Sequence, residues 1–269
     1  MKGYYSFIAG LPDLEFNPQA DFMPPAQLAE RLSELLSPEE MEWVRLLELP
    51  RHHRPVAAFL AAESNSRSVT SVIPAGGFHL GSDSSGRLPA YLQKLVHWRE
   101  THRGELSEKE ILQKLQQLYF AQLLQSGNPF LQKWGEAELN RLNFLAARRS
   151  EKNPDLKKQQ LIKGNAYHDL LLEYPTAQKI IHSEFEAAAR LEIIAGKTNL
   201  LERELEIDRL RWDTIGEINR FEYFTVNVIL GYFQQLLLLE RWREVFNPER
   251  QVDLVLVVEK MMRKNNHSE

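Results

Sequence analysis

The chain has 269 residues, of which 43% are hydrophobic and 26% are charged, a composition typical of a soluble protein with a sizeable hydrophobic core. Its formal net charge of −4 argues against a globally basic surface for duplex nucleic acid. The sequence contains no cysteine, which excludes disulfide bonds and thiolate metal sites.

The sequence favours neither a signal peptide nor a membrane span. The apolar run near the N-terminus contains tyrosine and is interrupted by Pro12 and Asp13. A membrane span needs roughly 18 apolar residues, whereas the apolar run 236–239 already ends at Glu240. We therefore expect a protein of the cytosol, or one peripheral to a larger structure.

The N-terminal part of the chain predicts several amphipathic helices. Residues 4–14 fit either a short helix or an extended segment, whereas residues 26–36 place leucines on one helical face. The sequence Ser-Pro-Glu-Glu at 37–40 predicts the start of a helix that ends at Pro50, because the serine can cap the helix and the second glutamate can complete a capping box. A further short helix is predicted over residues 55–63.

Residues 64–88 differ in composition from the rest of the chain, since serine, asparagine and glycine dominate them. This composition predicts a linker or a long, flexible surface loop. A phosphate cradle is the functional alternative for the glycines. However, the sequence at 76–81, Gly-Gly-Phe-His-Leu-Gly, matches no nucleotide-binding pattern, and no strand–loop–helix unit surrounds it. The loop interpretation is therefore favoured.

Helical patterns return after this segment and continue to the middle of the C-terminal half. One of these helices begins with a second capping box, Ser-Glu-Lys-Glu at 107–110, followed by a clear apolar stripe. Glycine and proline residues separate the patterns from one another. Helices are predicted over residues 89–99, 107–123, 130–149, 156–173 and 176–194.

The stretch 202–246 has the most regular pattern in the chain. Apolar residues recur every three to five positions in its first half, and its second half has a broad apolar face that ends at Trp242. Three aromatic residues within 219–225 predict a turn between the halves. Because two long amphipathic helices must bury their apolar faces, we expect a hairpin that forms the C-terminal core. Residues 252–262 favour a last helix, although their β-branched residues also suit a strand.

The fold predicted from these patterns is all-α, because nearly every periodic segment is helical. We expect one helical domain over residues 1–269. No catalytic motif accompanies it, since the sequence has neither a Gly-x-Ser-x-Gly elbow nor a P-loop. The eight histidines do not match a metal-binding spacing: His52 and His53 are adjacent, and His97 and His102 are five positions apart. The sequence therefore predicts no catalytic residue, cofactor or metal.

Carboxylates at the start of the predicted hairpin are candidates for a site. Glu204 and Asp208 share a helical face at i,i+4, and Asp208 and Arg211 share one at i,i+3. An acid–base pair is the catalytic interpretation of the two carboxylates. Ion pairs along a helix are much more common than such catalytic pairs, so we favour the structural interpretation.

Two Arg-Trp pairs are the other candidates, one on each predicted helix of the hairpin. Aromatic rings beside guanidinium groups can anchor a partner protein, but they also fix helix packing at the edge of a core. We favour packing over an interface. The candidate residues for a core network or an interface are Glu204, Asp208, Arg211, Trp212, Arg241 and Trp242.

Several stretches of the chain together resemble a known family. The stretches that carry this resemblance are Tyr4-Tyr5, Leu11-Pro12-Asp13-Leu14, Asn128-Pro129-Phe130-Leu131 with Trp134, residues 139–148, residues 202–212 and residues 221–242. The sequences ERELEIDRLRW, FEYF and ILGYFQQLLLLERW are its most specific parts. The arrangement resembles an uncharacterised bacterial family encoded among V-type ATP synthase genes. That family is in turn similar to the C-type subunit of V-type ATPases, which is called d in the eukaryotic enzyme.

The resemblance implies an all-helical, funnel-like protein of multiple helix bundles. Such a protein lies on the cytoplasmic side of the membrane rotor ring and receives the end of the central shaft. It has no active site or cofactor and transmits torque between the ATP-hydrolysing or ATP-making head and the ring. Its partners are the shaft subunits and the rotor ring. The glycine-rich segment 64–88 and the sequence Arg-His-His-Arg at 51–54 are departures from the resemblance.

Two alternatives from other functional classes follow from the residues. A free-standing helical enzyme would use the carboxylates near Glu204 and Asp208, in a concave pocket. A helical adaptor of another assembly would share the lack of catalytic motifs, so only the identity of its partner separates it from an ATPase component.

Overall fold

The computed structural model describes residues 4–17, 19–62, 88–102, 104, 106–164 and 167–246. Within these ranges the regular secondary structure is helical and contains no strand, so the protein is all-α, as predicted. A 3₁₀ turn, Leu49–His52, joins the third and fourth α-helices. The α-helices are α1 (Tyr5–Ala9), α2 (Pro25–Leu35), α3 (Pro38–Glu48), α4 (His53–Ala62), α5 (Ala90–Thr101), α6 (Glu108–Leu124), α7 (Pro129–Arg149), α8 (Pro154–Gln160), α9 (His168–Leu172), α10 (Gln178–Glu184), α11 (Ala188–Ala195), α12 (Leu200–Asn219) and α13 (Val226–Val245). The predicted last helix over 252–262 and the glycine-rich segment, except Leu88, lie outside the described residues.

Side-chain caps define the starts of α3 and α6. In α3, Ser37 Oγ accepts a hydrogen bond from the Glu40 N–H at 3.4 Å, and the Glu40 carboxylate accepts one from the Ser37 N–H at 2.8 Å. Ser107 and Glu110 repeat both bonds at the start of α6, at 3.3 and 2.9 Å. These reciprocal bonds satisfy backbone donors that a helix leaves unpaired at its N-terminus. Both capping boxes predicted from the sequence are therefore confirmed.

The predicted helices over residues 156–173 and 176–194 are wrong in extent, because each is divided in two. The buried side chain of Asn143 donates a hydrogen bond to the Ile162 carbonyl and accepts one from the Ile162 N–H, both at 2.8 Å. These bonds occupy backbone groups that a continuous helix would pair within itself. Phe185 is extended between α10 and α11 (φ −114°, ψ 97°) and buries its ring. At Ile162 a tertiary contact therefore replaces helical bonds, whereas at Phe185 the N–H still bonds the Ile181 carbonyl at 2.8 Å and the break accompanies burial of the ring.

Two hydrophobic clusters form the core. The larger one is built mainly by α2 to α7 and α13, and the smaller one by Leu161 and α9 to α11 with parts of α7 and α12. Helices α7 and α12 contribute to both clusters: Leu139 and Ile215 belong to the larger, whereas Phe144 and Ile207 belong to the smaller. These two long helices therefore connect the clusters.

Helices α12 and α13 form the predicted hairpin. Asn199 caps α12, since its Oδ1 accepts a hydrogen bond from the Glu202 N–H at 3.1 Å. Helix α13 packs against α2, α3, α7 and α12 and buries large side chains such as Phe233 and Trp242. The predicted hairpin is confirmed, but α13 joins the larger cluster with the N-terminal helices and does not form a separate C-terminal core.

Gly135 allows α7 to approach α6 closely. A Cβ atom at Gly135 would lie 2.8 Å from the Cβ of Leu123, closer than real Cβ atoms approach. We expect Gly135→Ala to lower the free energy of unfolding by roughly 1 kcal/mol. The reason is that overpacking costs about 1–3 kcal/mol, which exceeds the gain of about 1 kcal/mol in helix propensity. Urea denaturation measures the change.

Gly216→Ala in α12 is the matched control for this substitution. A Cβ atom at Gly216 meets nothing within 4 Å among the described residues, so only the helix propensity changes. The free energy of unfolding should therefore rise by about 0.5–1 kcal/mol. If Gly135→Ala were as stabilising as the control, the close approach of α6 and α7 would be contradicted.

Candidate functional site

The centre of the candidate site is Asp208, whose side chain is completely buried on α12. Its Oδ1 accepts a hydrogen bond from Arg211 Nη1 at 2.8 Å. Its Oδ2 accepts one from Trp242 Nε1 at 2.8 Å and forms an ion pair with Arg241. Since Trp242 and Arg241 belong to α13, this single carboxylate joins the two helices of the hairpin.

The charged network extends from this aspartate to α7 in one direction and to the surface in the other. Arg211 Nε donates to Glu138 Oε1 at 3.0 Å, and Arg141 donates to both oxygens of Glu138 at 3.0 and 2.9 Å. Arg241 Nη2 donates to Glu204 Oε2 at 2.9 Å. The resulting chain of alternating charges runs through Glu204, Arg241, Asp208, Arg211, Glu138 and Arg141. We call these six residues the Asp208 network.

Pairing keeps the buried members of the network charged. Burial of Glu138 opposes its ionisation, but Arg141 and Arg211 outweigh this effect and lower its pKa to about 2. Burial disfavours the charged form of Arg211, but Glu138 and Asp208 outweigh this and raise its pKa above the usual value. Because an unpaired buried charge is costly, each of these residues depends on its partners.

Trp212 lies outside the Asp208 network. Its ring is partly buried in the larger cluster and packs against Phe16, with 5.5 Å between the ring centroids. The guanidinium of Arg211 lies over Trp134 instead of its neighbour in the chain, 5.4 Å from the ring centroid. In the second Arg-Trp pair, on α13, the guanidinium lies 5.5 Å from the adjacent indole. The structure therefore brings five of the six candidate residues together and separates Trp212 from them.

The geometry of the carboxylates favours a structural role. Both oxygens of Asp208 accept from protein donors inside the core, so neither is placed to take a proton from a substrate. Glu204, the other member of the hypothetical acid–base pair, is bonded to Arg241. In the described part of the chain, no group of three or more histidine, aspartate and glutamate residues is arranged to hold a metal ion.

An exposed aromatic surface lies at the loop between α12 and α13. Phe221, Tyr223 and Phe224 are 82%, 70% and 41% exposed. Tyr5 on α1 is 62% exposed and extends this surface, since its ring centroid lies 4.5 Å from that of Phe224. We call these four residues the aromatic tip. Aromatic side chains are enriched in protein–protein interfaces, so the aromatic tip is a candidate docking surface.

The loop that carries the aromatic tip has an unusual backbone. Phe224 has a φ of 50°, which is uncommon for a residue with a bulky side chain. Next to it, Thr225 Oγ1 donates to Glu222 Oε2 at 2.8 Å, and Asn219 Nδ2 donates to the Asn227 carbonyl at 3.0 Å. Strained backbone needs such support and concentrates at functional positions. The three aromatic residues of this loop predicted the turn correctly. Their exposure was not predicted from the sequence, because apolar side chains are usually buried.

A protein-family model matches almost the whole chain, including the candidate site. A family model described as "protein of unknown function (DUF2764)" matches residues 1–261 of the chain. The matched region contains all the helices described above, and therefore both the Asp208 network and the aromatic tip. No curated protein matches the chain, and no solved structure matches it.

Proposed function

The chain belongs to the DUF2764 family, and we propose that it is a non-catalytic central-stalk component of a bacterial V-type ATPase or ATP synthase. In this role it links the rotor shaft to the membrane ring and transmits torque during ATP synthesis or hydrolysis. Its helix bundles would form a funnel-like body, as in the C/d-type proteins of these assemblies, on the cytoplasmic face of the membrane. The resemblance of residues 202–212 and 221–242 motivates the choice of assembly.

The aromatic tip is the observation that carries this proposal. A phenylalanine side chain gains roughly 1.5–3 kcal/mol when it is fully buried, and Phe221 forgoes most of this gain at 82% exposure. Tyr223 and Phe224 follow it in the same loop and Tyr5 packs against Phe224, so the tip presents several exposed aromatic side chains, the type enriched in protein–protein contacts. We propose that another protein of the rotary assembly covers it.

The Asp208 network supports the mechanical part of the proposal. A protein that transmits torque needs a rigid connection between its contact surface and its body. Helices α12 and α13 lead from the aromatic tip into the core, where Asp208, Arg211 and Arg241 join them. The bond from Arg211 to Glu138 extends this connection to α7.

None of the described helices is both long enough and apolar enough to cross a membrane.

Purification of the tagged chain from membranes of its own host in mild detergent tests the proposal. We expect the head, shaft and ring proteins of a V-type ATPase to co-purify in fixed stoichiometry. The double variant Phe221→Ser and Tyr223→Ser should reduce this recovery at least about tenfold, because truncation of central aromatic contacts typically costs more than about 1–2 kcal/mol. Its stability towards urea should stay unchanged, since both side chains are exposed.

Ile193→Ser on α11 is the matched control, because Ile193 is also apolar and is 72% exposed. This variant should recover the assembly at the level of the unmodified chain. Recovery of the chain without any ATPase protein would contradict the proposal, and recovery of a different assembly would favour the adaptor alternative. Full recovery with the double variant would show that the aromatic tip is not the docking surface.

A further inference from the structure

The end of the hairpin opposite the aromatic tip also carries exposed apolar side chains. Leu200 and Leu201 begin α12 and are 62% and 49% exposed, and Val245, the last residue of α13, is 41% exposed. We call these three residues the apolar end. Because single exposed apolar residues are common on protein surfaces, the significance of these three depends on whether they lie together.

The hairpin geometry places them at one end of its two facing helices. Asp208 of α12 bonds Trp242 of α13 at 2.8 Å, so these two residues mark the facing sides of the helices. Leu201 precedes Asp208 by seven positions, about two helical turns, and therefore lies on the same face of α12. Val245 follows Trp242 by three positions and shares its face of α13. Leu201 and Val245 therefore continue the facing sides of the two helices to the end of the hairpin, where both remain exposed.

The chain leaves α13 at the apolar end and continues into an apolar stretch of sequence. Phe246 follows Val245, and residues 247–269 lie outside the described residues. Residues 252–258 read Val-Asp-Leu-Val-Leu-Val-Val, so all of them except Asp253 are apolar. Contact of such a stretch with water is unfavourable, and apolar stretches rich in β-branched residues promote aggregation. Both this stretch and the apolar end would therefore gain from being covered.

We propose that residues 252–258 dock on the apolar end of the same chain. Residue 252 follows Phe246 by six positions, and six extended residues span at most about 20 Å, so the stretch starts within reach of the apolar end. A short connection costs little entropy to close and holds the stretch at a high local concentration. This advantage favours the chain's own segment over a second copy of the chain. The proposal does not depend on the ATPase assembly.

Limited digestion of the isolated full chain with trypsin tests the docking, because Arg250 and Lys260 flank the stretch. Mass spectrometry measures the cleavage rate at these two sites. The double variant Leu200→Ser and Leu201→Ser should raise this rate at least about tenfold, since cleavage follows the population of the undocked segment. Cleavage within the described helices should stay as slow as in the unmodified chain, which separates loss of docking from loss of folding. Ile180→Ser on α10 is the matched control, because Ile180 is 53% exposed, and it should leave the rate unchanged.

A second double variant, Leu254→Ser and Leu256→Ser, changes the stretch itself. It should accelerate cleavage as much as the first double variant, and the combination of all four substitutions should add nothing further, because both pairs remove the same contact. The proposal would be overturned if the unmodified chain were cleaved as fast as the variants, or if the effects of the two pairs multiplied. Protection that increases with protein concentration would also overturn it, because the stretch would then dock on a second copy.

Discussion

Replacement of Asp208 by asparagine is expected to lower the free energy of unfolding by about 3 kcal/mol. Removing one partner from a buried ion pair typically costs about 3–5 kcal/mol, because the remaining charge stays buried. The amide retains an acceptor for the Trp242 N–H and Arg211 keeps Glu138 as a partner, so the lower end of this range applies. Urea denaturation followed by circular dichroism measures the change.

Asp213→Asn is the matched control on the same helix. Asp213 pairs with Arg190 at 2.6 Å, but its side chain is 50% exposed and solvent screens the pair. This control should change stability by less than about 1 kcal/mol. Equal costs for the two substitutions would contradict the central position of Asp208, because burial would then make no difference.

Acid is expected to destabilise the folded chain through Glu138. The pKa of Glu138 is about 2 in the folded chain, against an ordinary value of 4.5 for an unfolded one. A carboxylate with a depressed folded pKa contributes stability above its unfolded pKa and loses it as the pH falls towards the folded value. The contribution at neutral pH is about 3 kcal/mol, and about 2 kcal/mol of it should be gone at about pH 3. Urea midpoints between neutral and acidic pH measure this loss.

Glu138→Gln removes this titration and provides the decisive comparison. The variant should be less stable than the unmodified chain at neutral pH, and the difference should shrink as the pH falls from about 5 to about 2. Glu136→Gln, an exposed position on the same helix, should follow the unmodified chain at every pH. A constant difference between Glu138→Gln and the unmodified chain would show that Glu138 does not titrate as a depressed carboxylate.

Local sequence was sufficient to predict the long helices and several of their ends. The capping boxes at Ser37 and Ser107 were recognisable because a cap and its partner lie three positions apart. The stripe of α12 also indicated the pair between Asp208 and Arg211, since i,i+3 residues share a helical face. All of these features depend on neighbours within one turn of a helix.

The breaks among α8 to α11 could not be predicted in the same way. Residues 156–173 have a helical pattern, but Asn143 of α7 bonds both backbone groups of Ile162. This partner lies 19 positions earlier in the chain, so a local window contains Gly164, with a φ of 133°, but not the contact that holds Ile162. Local propensity favoured a continuous helix, and a buried tertiary contact outweighed it.

The candidate site likewise combines contacts within one helix with contacts between distant helices. The sequence determined which side chains share a face of α12 and where the hairpin turns, because helical geometry sets these relations within one element. Only the packing of helices decided that Asp208 meets Trp242, 34 positions away, and that Glu138 meets Arg211, 73 positions away. Packing likewise left Phe221 and Tyr223 exposed, since burial depends on which elements cover a loop and not on the loop's own sequence.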